Sequence, residues 1–337
     1  MPQLVAHYLP ELDATMRQMI DSIPNLPADF TLMMRYAMGW VDENDNPYQQ
    51  TTGKRIRPLL LLLCADAAGG DWRKALPAAA AVEFLHNFSL IHDDIEDSSP
   101  TRHGRPTVWK LWGLANAINA GDALFTVSFY TLHRLTQSGL PLDRILMIWD
   151  VFNQTTIELT RGQHLDMRFE HQAEVSIDEY LSMIAGKSAA LVAACARIGA
   201  LIATSDLSTT ENYAAYGLNL GIAFQIRDDI LGIWGDPDVT GKSAATDILS
   251  RKKSLPVLYA LERNDTLAQI YANDNLTDAD VSEALAALEQ AEARTYTEMY
   301  EQRYFEQALL AIQQANPKGE AAEWLMQLTR ALFQRDR

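Results

Sequence analysis

Apolar residues recur at spacings of three and four along most of the 337-residue chain, and no stretch alternates long enough to predict a strand. The pattern runs longest over 142–165 and 285–315. Because a helix stacks positions three and four apart on one face, each run predicts a helix that buries an apolar stripe. The expected fold class is all-α. Breaks are predicted where Gly, Pro, Asn, Asp, Ser and Thr cluster, at 42–53, 68–72, 98–107, 136–141, 204–212, 235–246, 273–277 and 316–319. Most are too short to be domain linkers, and one large domain or two ordinary ones would fit the length. The chain shows no repeat of fixed period and no low-complexity tract.

Composition narrows the partners. With 48% hydrophobic residues the chain can bury a large core, and 28 Lys and Arg against 44 Asp and Glu give a net charge of −16. Such a balance disfavours nucleic acid or an anionic membrane as a general partner, so any anion must be bound locally. Cys64 and Cys195 lie in apolar stretches without metal-ligand spacing and read as buried free thiols of a reducing compartment. The amino terminus lacks a basic region followed by an apolar core. No uninterrupted apolar run approaches the roughly 20 residues that span a bilayer, so a cytoplasmic location is expected.

Two aspartate doublets, each at the end of an apolar run, carry the candidate chemistry: one in FSLIHDDIED (88–97), the other in AFQIRDDILG (223–232). In the first, Asp93 and Asp97 are four apart and share a helix face, with Asp94 beside them. Carboxylates that close repel unless a cation neutralises them, and clustered hard oxygen ligands suit Mg²⁺ shared with substrate phosphates. The loop after the first doublet supplies Arg102, His103 and Arg105, and the loop after the second supplies Gly241 and Lys242. Cations there would meet the phosphate oxygens that metals leave uncovered. A third basic cluster, GKRIRP (53–58), opens a helix whose terminal N–H groups and dipole favour a second anion. His86, seven residues before Asp93 and on its face, is a phosphate-donor candidate, and Lys187 is a functional candidate in an apolar setting. His92 reads as structural, the tryptophans and the leucine run 59–63 as core.

The blocks GKRIRP, EFLHNFSLIHDDIED, RHGRPT, GDALF, GQHLD, MIAGKSAAL, FQIRDD and GDPDVTGKSAATDILSRKKSLP run from residue 53 to 256. In content and order they resemble the trans-isoprenyl diphosphate synthases, the polyprenyl synthetase group. The resemblance implies a single domain, 1–337, of about a dozen helices around a deep central cavity, and a homodimer. It implies that Asp93, Asp94 and Asp97 bind two Mg²⁺ on an allylic diphosphate and that Asp228 with Asp229 binds a third. Arg102, Lys187 and Lys242 would hold the same diphosphate. Lys54, Arg57 and His86 would hold isopentenyl diphosphate, with a hydrogen bond from His103. Ser188, where the family often has Thr, and Gln225 would lie near the developing carbocation. The implied reaction is ionisation of the allylic diphosphate, attack by the isopentenyl double bond and loss of a proton.

Two positions depart from the family pattern. Gly232 stands where the second motif often has its last Asp, leaving Asp236 as a water-mediated substitute, and His103 replaces the second Arg of the basic loop. Phe88 lies five residues before Asp93, about 7.5 Å along a helix that rises about 1.5 Å per residue, while Ser89 is small. In the family an aromatic at that place goes with a C20 product, so geranylgeranyl diphosphate is expected, its chain passing Ser89 and stopping at Phe88. Two rivals remain. Gly232 and His103 suggest a non-catalytic regulatory subunit; a class I terpene cyclase is disfavoured by Gln225-x-x-Asp228-Asp229 and by GKRIRP.

Overall fold

The computed structural model describes residues 2–48, 55–172, 174–235, 248–273 and 276–333. Packing divides the chain into two compact units. The first is Met1–Asp150, Arg197–Leu207 and Pro317–Leu325; the second is Val151–Ala196, Ser208–Asn316 and Met326–Arg337.

The first unit is built on α1 (Pro2–Asp21), α2 (Ala28–Ala37), α3 (Ile56–Ala67), α4 (Leu76–Glu96), α5 (Val108–Trp112) and α6 (Leu114–Leu132). The leucine run of α3 is core as its sequence predicts, Leu59 to Leu63 each being at most 2% exposed. α4 and α6 pack along much of their length. Gly121 of α6 permits the approach, since a Cβ there would stand 2.3 Å from the His92 ring. Tyr8 fastens α1: its hydroxyl donates to Asp66 Oδ2 at 2.6 Å and its ring meets Trp72 and Trp324 edge-on. Of the tryptophans only Trp40 and Trp72 are buried, because a side chain that large seldom loses all its exposure.

The second unit contains α8 (Ile177–Ile184), α10 (Leu207–Trp234), α11 (Leu255–Leu261), α12 (Asp265–Tyr271), α13 (Asp278–Gln290) and α14 (Ala293–Ala315). α7 (Leu142–His171), α9 (Ala190–Ala203) and α15 (Gly319–Phe333) contribute residues to both units, as does α10 through Leu207. Most of α10 is buried, and it meets α9 through two glycines. A Cβ on Gly217 would lie 2.6 Å from Val192 O, and one on Gly221 would lie 2.6 Å from Ala189 Cα. α8 begins with a capping box in which Ser176 and Glu179 satisfy each other's backbone N–H, and it runs through a π-helical turn, Ala185–Ala189, into α9.

The all-α expectation holds. Among the described residues the only paired strands are β1 (Thr101–Arg102) and β2 (Arg105–Pro106), two residues each. Cys64 and Cys195 are buried free thiols. Two readings need correction. The break expected at 204–212 ends at residue 206, because the polar residues 208–211 occupy the first turn of α10, where N–H groups have no helical partner. The single run 285–315 is two helices, parted at Glu292 with φ 55°; no Gly or Pro marks the place, and it is packing of Ala287, Leu288 and Ala293 into one core that turns the chain. Among the described residues one helical stretch, Ile177–Ala203, is long and apolar enough to cross a membrane; Lys187 and Arg197 interrupt it, and 61% of its apolar window is buried within the fold.

Candidate active site

The first aspartate cluster closes α4 in a Schellman motif. Ser98 takes the left-handed conformation (φ 52°), its N–H bonds Ile95 O at 3.1 Å, and Ser99 N–H bonds Asp94 O at 2.9 Å. Asp93, Asp94 and the C-cap Asp97 therefore crowd the negative end of the helix dipole, where each carboxylate is disfavoured by roughly 0.3–1 kcal/mol. Arg102 answers part of that charge, its Nη2 lying 2.9 Å from Asp93 Oδ2 and its Nε 2.7 Å from Asp94 Oδ1. The arginine is aimed by the β1–β2 hairpin, whose two loop residues, His103 and Gly104, both have positive φ (50° and 74°), as a tight two-residue turn requires.

The three carboxylates are not equivalent. Asp94 is 5% exposed, and its burial raises its pKa against the pull of Arg102. Asp94 accepts from Arg102 Nε and is the more buried of the two carboxylates that Arg102 holds. Asp97 is exposed and Asp93 is partly so.

Below the hairpin lies a cavity of about 130 Å³ lined by Arg55, His86, Arg102, His103 and Arg105 together with Glu83 and Asp94. Arg55 holds the wall: it reaches Glu83 Oε1 at 2.8 Å, Asp13 Oδ1 at 3.2 Å and Met38 O at 3.0 Å. Arg105, expected to meet phosphate, is a structural residue that donates to Val41 O at 2.7 Å and sits 4.0 Å from the ring centres of both Tyr36 and Tyr48. Arg57 Nη1 lies 3.1 Å from His86 Nε2. Arginine only donates, so His86 must accept there and carry its proton on Nδ1. His86 in this geometry orients Arg57, whose buried Nε has no hydrogen-bond partner among the described residues. An orphaned cationic donor beside a basic cavity fits an anion.

Phe88 is 9% exposed and packs at steep angles into a line of rings, with centroids 4.7 Å from His92 and 4.9 Å from Phe125, which continues to Phe129 at 5.1 Å. Ser89 turns its hydroxyl to His86 O at 2.8 Å.

In the second unit, Lys187 rides the π-helical turn and pairs with Asp166 of GQHLD. Ser188 donates to Gln225 Oε1 at 2.6 Å, and Gln225 Nε2 donates to Asp229 Oδ1 at 3.1 Å. Asp229 is 1% exposed; its Oδ2 accepts the Tyr180 hydroxyl and the Leu255 N–H. Burial raises the pKa of Asp229, while Lys252, Tyr180, Leu255 and Gln225 pull it down. Asp228 is part-exposed, one helix position away.

Sequence reasoning missed Tyr180, Asp166, Glu83 and Lys252, whose Nζ is 4.0 Å from Asp229 Oδ1. Glu83, Asp166 and Lys252 sit inside the quoted blocks, so those blocks held the signal; nothing local marks Tyr180. Lys54, Lys242, Gly241 and Asp236 lie outside the described residues.

Among the described residues no group of three or more His, Cys, Asp or Glu side chains stands ready to hold a metal ion unaided. The oxygen donors that are present, carboxylates at the negative end of α4 and part-exposed Asp228, fit Mg²⁺, which commonly takes one or two carboxylates and fills its sphere with water and substrate phosphate.

The sequence pattern of the Polyprenyl synthetase family matches residues 39–288. The chain is 44% identical over 259 residues to a (2E,6E)-farnesyl diphosphate synthase of Mycobacterium tuberculosis, covering 76% of this chain and 69% of that one. It is 40% identical over 247 residues to a geranylgeranyl diphosphate synthase of the same organism, covering 73% and 69%. The crystal structure of a polyprenyl synthetase from Streptomyces coelicolor A3(2) superposes with a TM-score of 0.88 at 32% identity, covering 98% of this chain and 99% of that one. With its motifs on the helix ends and turns described above and its whole fold shared, the chain belongs to the polyprenyl synthetase family and is a trans-prenyltransferase of the all-α isoprenoid synthase fold.

Proposed function

We propose that this trans-prenyltransferase extends an allylic diphosphate with isopentenyl diphosphate and stops at C20, geranylgeranyl diphosphate. Prenyl synthases act on isopentenyl and allylic diphosphates, and the family is in general Mg²⁺-dependent. The observation that carries the length is Phe88, buried against Phe125 and His92 five residues before Asp93. A chain growing along α4 past Ser89 meets that layer of rings. A C15 product is the second reading, favoured by the 44% identity to a farnesyl diphosphate synthase.

Asp93, Asp97 and Asp228 would hold Mg²⁺, three ions in all, which when bound supply positive charge to a departing diphosphate. Arg102, Lys187 and Lys242 grip that diphosphate. Lys54, Arg57 and His103 bind isopentenyl diphosphate, with His86 aiming Arg57. Ser188 and Gln225 present oxygen atoms toward the allylic cation, and apolar helix faces keep water from it. The isopentenyl double bond attacks, and the proton lost afterwards passes to the released diphosphate.

The family match takes in residues of both units, which supports reading 1–337 as one catalytic domain. A homodimer would cover Leu114 and Ile118, which are 54% and 41% exposed on α6, and sedimentation of the purified chain tests it. A cytoplasmic location accords with these roles.

The test is incubation of the purified chain with labelled isopentenyl diphosphate, each allylic starter in turn and Mg²⁺, followed by sizing of the products. C20 accumulation is expected, and turnover by this chain alone excludes a purely regulatory subunit. An Asp93→Ala variant that turns over normally would refute the metal assignment.

A further inference from the structure

Spacing groups Asp229 with Asp228 as a metal ligand, yet its surroundings are those of an anchor. Neighbouring positions on a helix point about 100° apart, so a part-exposed Asp228 leaves Asp229 facing the packed side of α10. There Oδ2 receives two donors, the Tyr180 hydroxyl of α8 and, at 3.2 Å, the N–H of Leu255. Leu255 opens α11, whose N-cap Ser254 makes no side-chain cap bond, so Asp229 caps that helix from across the core. Its Oδ1 receives Gln225 Nε2 at 3.1 Å.

An ionised carboxylate accepts and does not donate. Gln225 must therefore turn its NH₂ toward Asp229 and its carbonyl oxygen the other way, where that oxygen takes the Ser188 hydroxyl at 2.6 Å. We propose, resting on the prenyltransferase reading above, that Asp229 is a positioning residue and not a metal ligand: held by Tyr180 and the α11 backbone, it locks the Gln225 amide with its oxygen toward Ser188. A carbonyl dipole fixed in advance stabilises a nascent carbocation without reorganising during the reaction, whereas an amide able to flip would offer positive NH₂ instead. Tyr180 is by the same logic a positioning residue, one step further out.

Three variants decide it, Asp229→Asn, Tyr180→Phe and Asp228→Asn, each compared with the parent in two measurements. Mn²⁺ binding in the presence of inorganic diphosphate is followed by electron paramagnetic resonance, and steady-state kinetics give kcat and KM for both diphosphates. Asp229→Asn and Tyr180→Phe are expected to bind Mn²⁺ with the parent's stoichiometry and within about twofold of its affinity, to keep each KM within about twofold, and to lose kcat about tenfold or more. Asp228→Asn is expected to bind one Mn²⁺ fewer than the parent. Weakened Mn²⁺ binding in Asp229→Asn to match Asp228→Asn overturns the proposal, as does an unchanged kcat in Tyr180→Phe. Should Asp229→Asn not fold, Tyr180→Phe, which removes one oxygen, carries the same comparison. A parent chain that binds Mn²⁺ normally but elongates no starter would refute the prenyltransferase reading and leave the ligand comparison standing.

Discussion

A Cβ on Gly162 would lie 2.0 Å from the backbone nitrogen of Lys187. α7 and the π-helical turn therefore touch backbone to backbone, and Gly186 on the other side is also close, its Cβ falling 2.6 Å from Glu158 O. A π-turn carries one residue more than an α-turn and often marks a functional site. Here it presents Lys187 to Asp166, and the glycine of GQHLD is what leaves room for it. Gly162→Ala cannot be absorbed by a side-chain swing, because the obstacle is main chain. Overpacking of this kind costs about 1–3 kcal/mol. Calorimetry should show a melting temperature lowered by several degrees, and kcat should fall with it as Lys187 moves. Unchanged melting and turnover would show that the two segments are not in contact.

Arg102 links Asp93 and Asp94 with two different nitrogens, a geometry that the single ammonium of lysine cannot reproduce. Arg102→Lys should keep the charge and lose one arm of the pair. A charge-assisted hydrogen bond is worth about 1.5–3 kcal/mol, so kcat/KM is expected to drop about 10- to 100-fold. Equal kcat/KM for the two proteins would mean that net charge alone matters at this helix end.

How much of this was readable beforehand depends on whether a residue's role is local. The first cluster was legible because Asp93 and Asp97 share a face by helix geometry alone, and RHGRPT announced a turn near it. The division of labour within each doublet was not. Arg102 holds both Asp93 and Asp94, which differ only in burial, and Asp229 is told apart from Asp228 only by the Tyr180 hydroxyl and Leu255 N–H that face it. Arg105 read as a phosphate cation because its partners, Tyr36, Tyr48 and Val41, lie at least 57 positions away in sequence. The turn at Glu292 escaped for a similar reason: a left-handed glutamate is set by the core on either side and has no residue signature of its own.

Phe88 and Phe125 form the part of the ring layer that a growing chain would meet, one from each of the paired helices α4 and α6. Phe88→Ala should open the first layer and shift products to longer chains, and adding Phe125→Ala should lengthen them again. The cost is real, since removing a buried Phe side chain takes about 3–5 kcal/mol, so assays belong well below the melting temperature. Products no longer than the parent's in either variant would show that the floor lies elsewhere.

His86 gives the protein an acid-sensitive point. Burial pushes its pKa well below the ordinary 6.5, and the charges of Arg57, Arg102, Arg55 and His103 push the same way. In the unfolded chain the ring takes up a proton as pH falls through about 6.5; in the folded chain it stays neutral and goes on accepting from Arg57. Below about pH 6.5 the unfolded state thus binds more protons than the folded one, and stability must fall as pH falls toward the lower folded value. Above that pH both forms are neutral and His86 adds no slope. His86→Gln keeps an acceptor near Arg57 but cannot titrate, so whatever its stability at pH 7.5, the variant should gain on the parent as pH drops to about 5.5. Urea unfolding at several pH values in that range measures the gap. A gap that stays constant would mean that folding leaves the affinity of His86 for its proton unchanged.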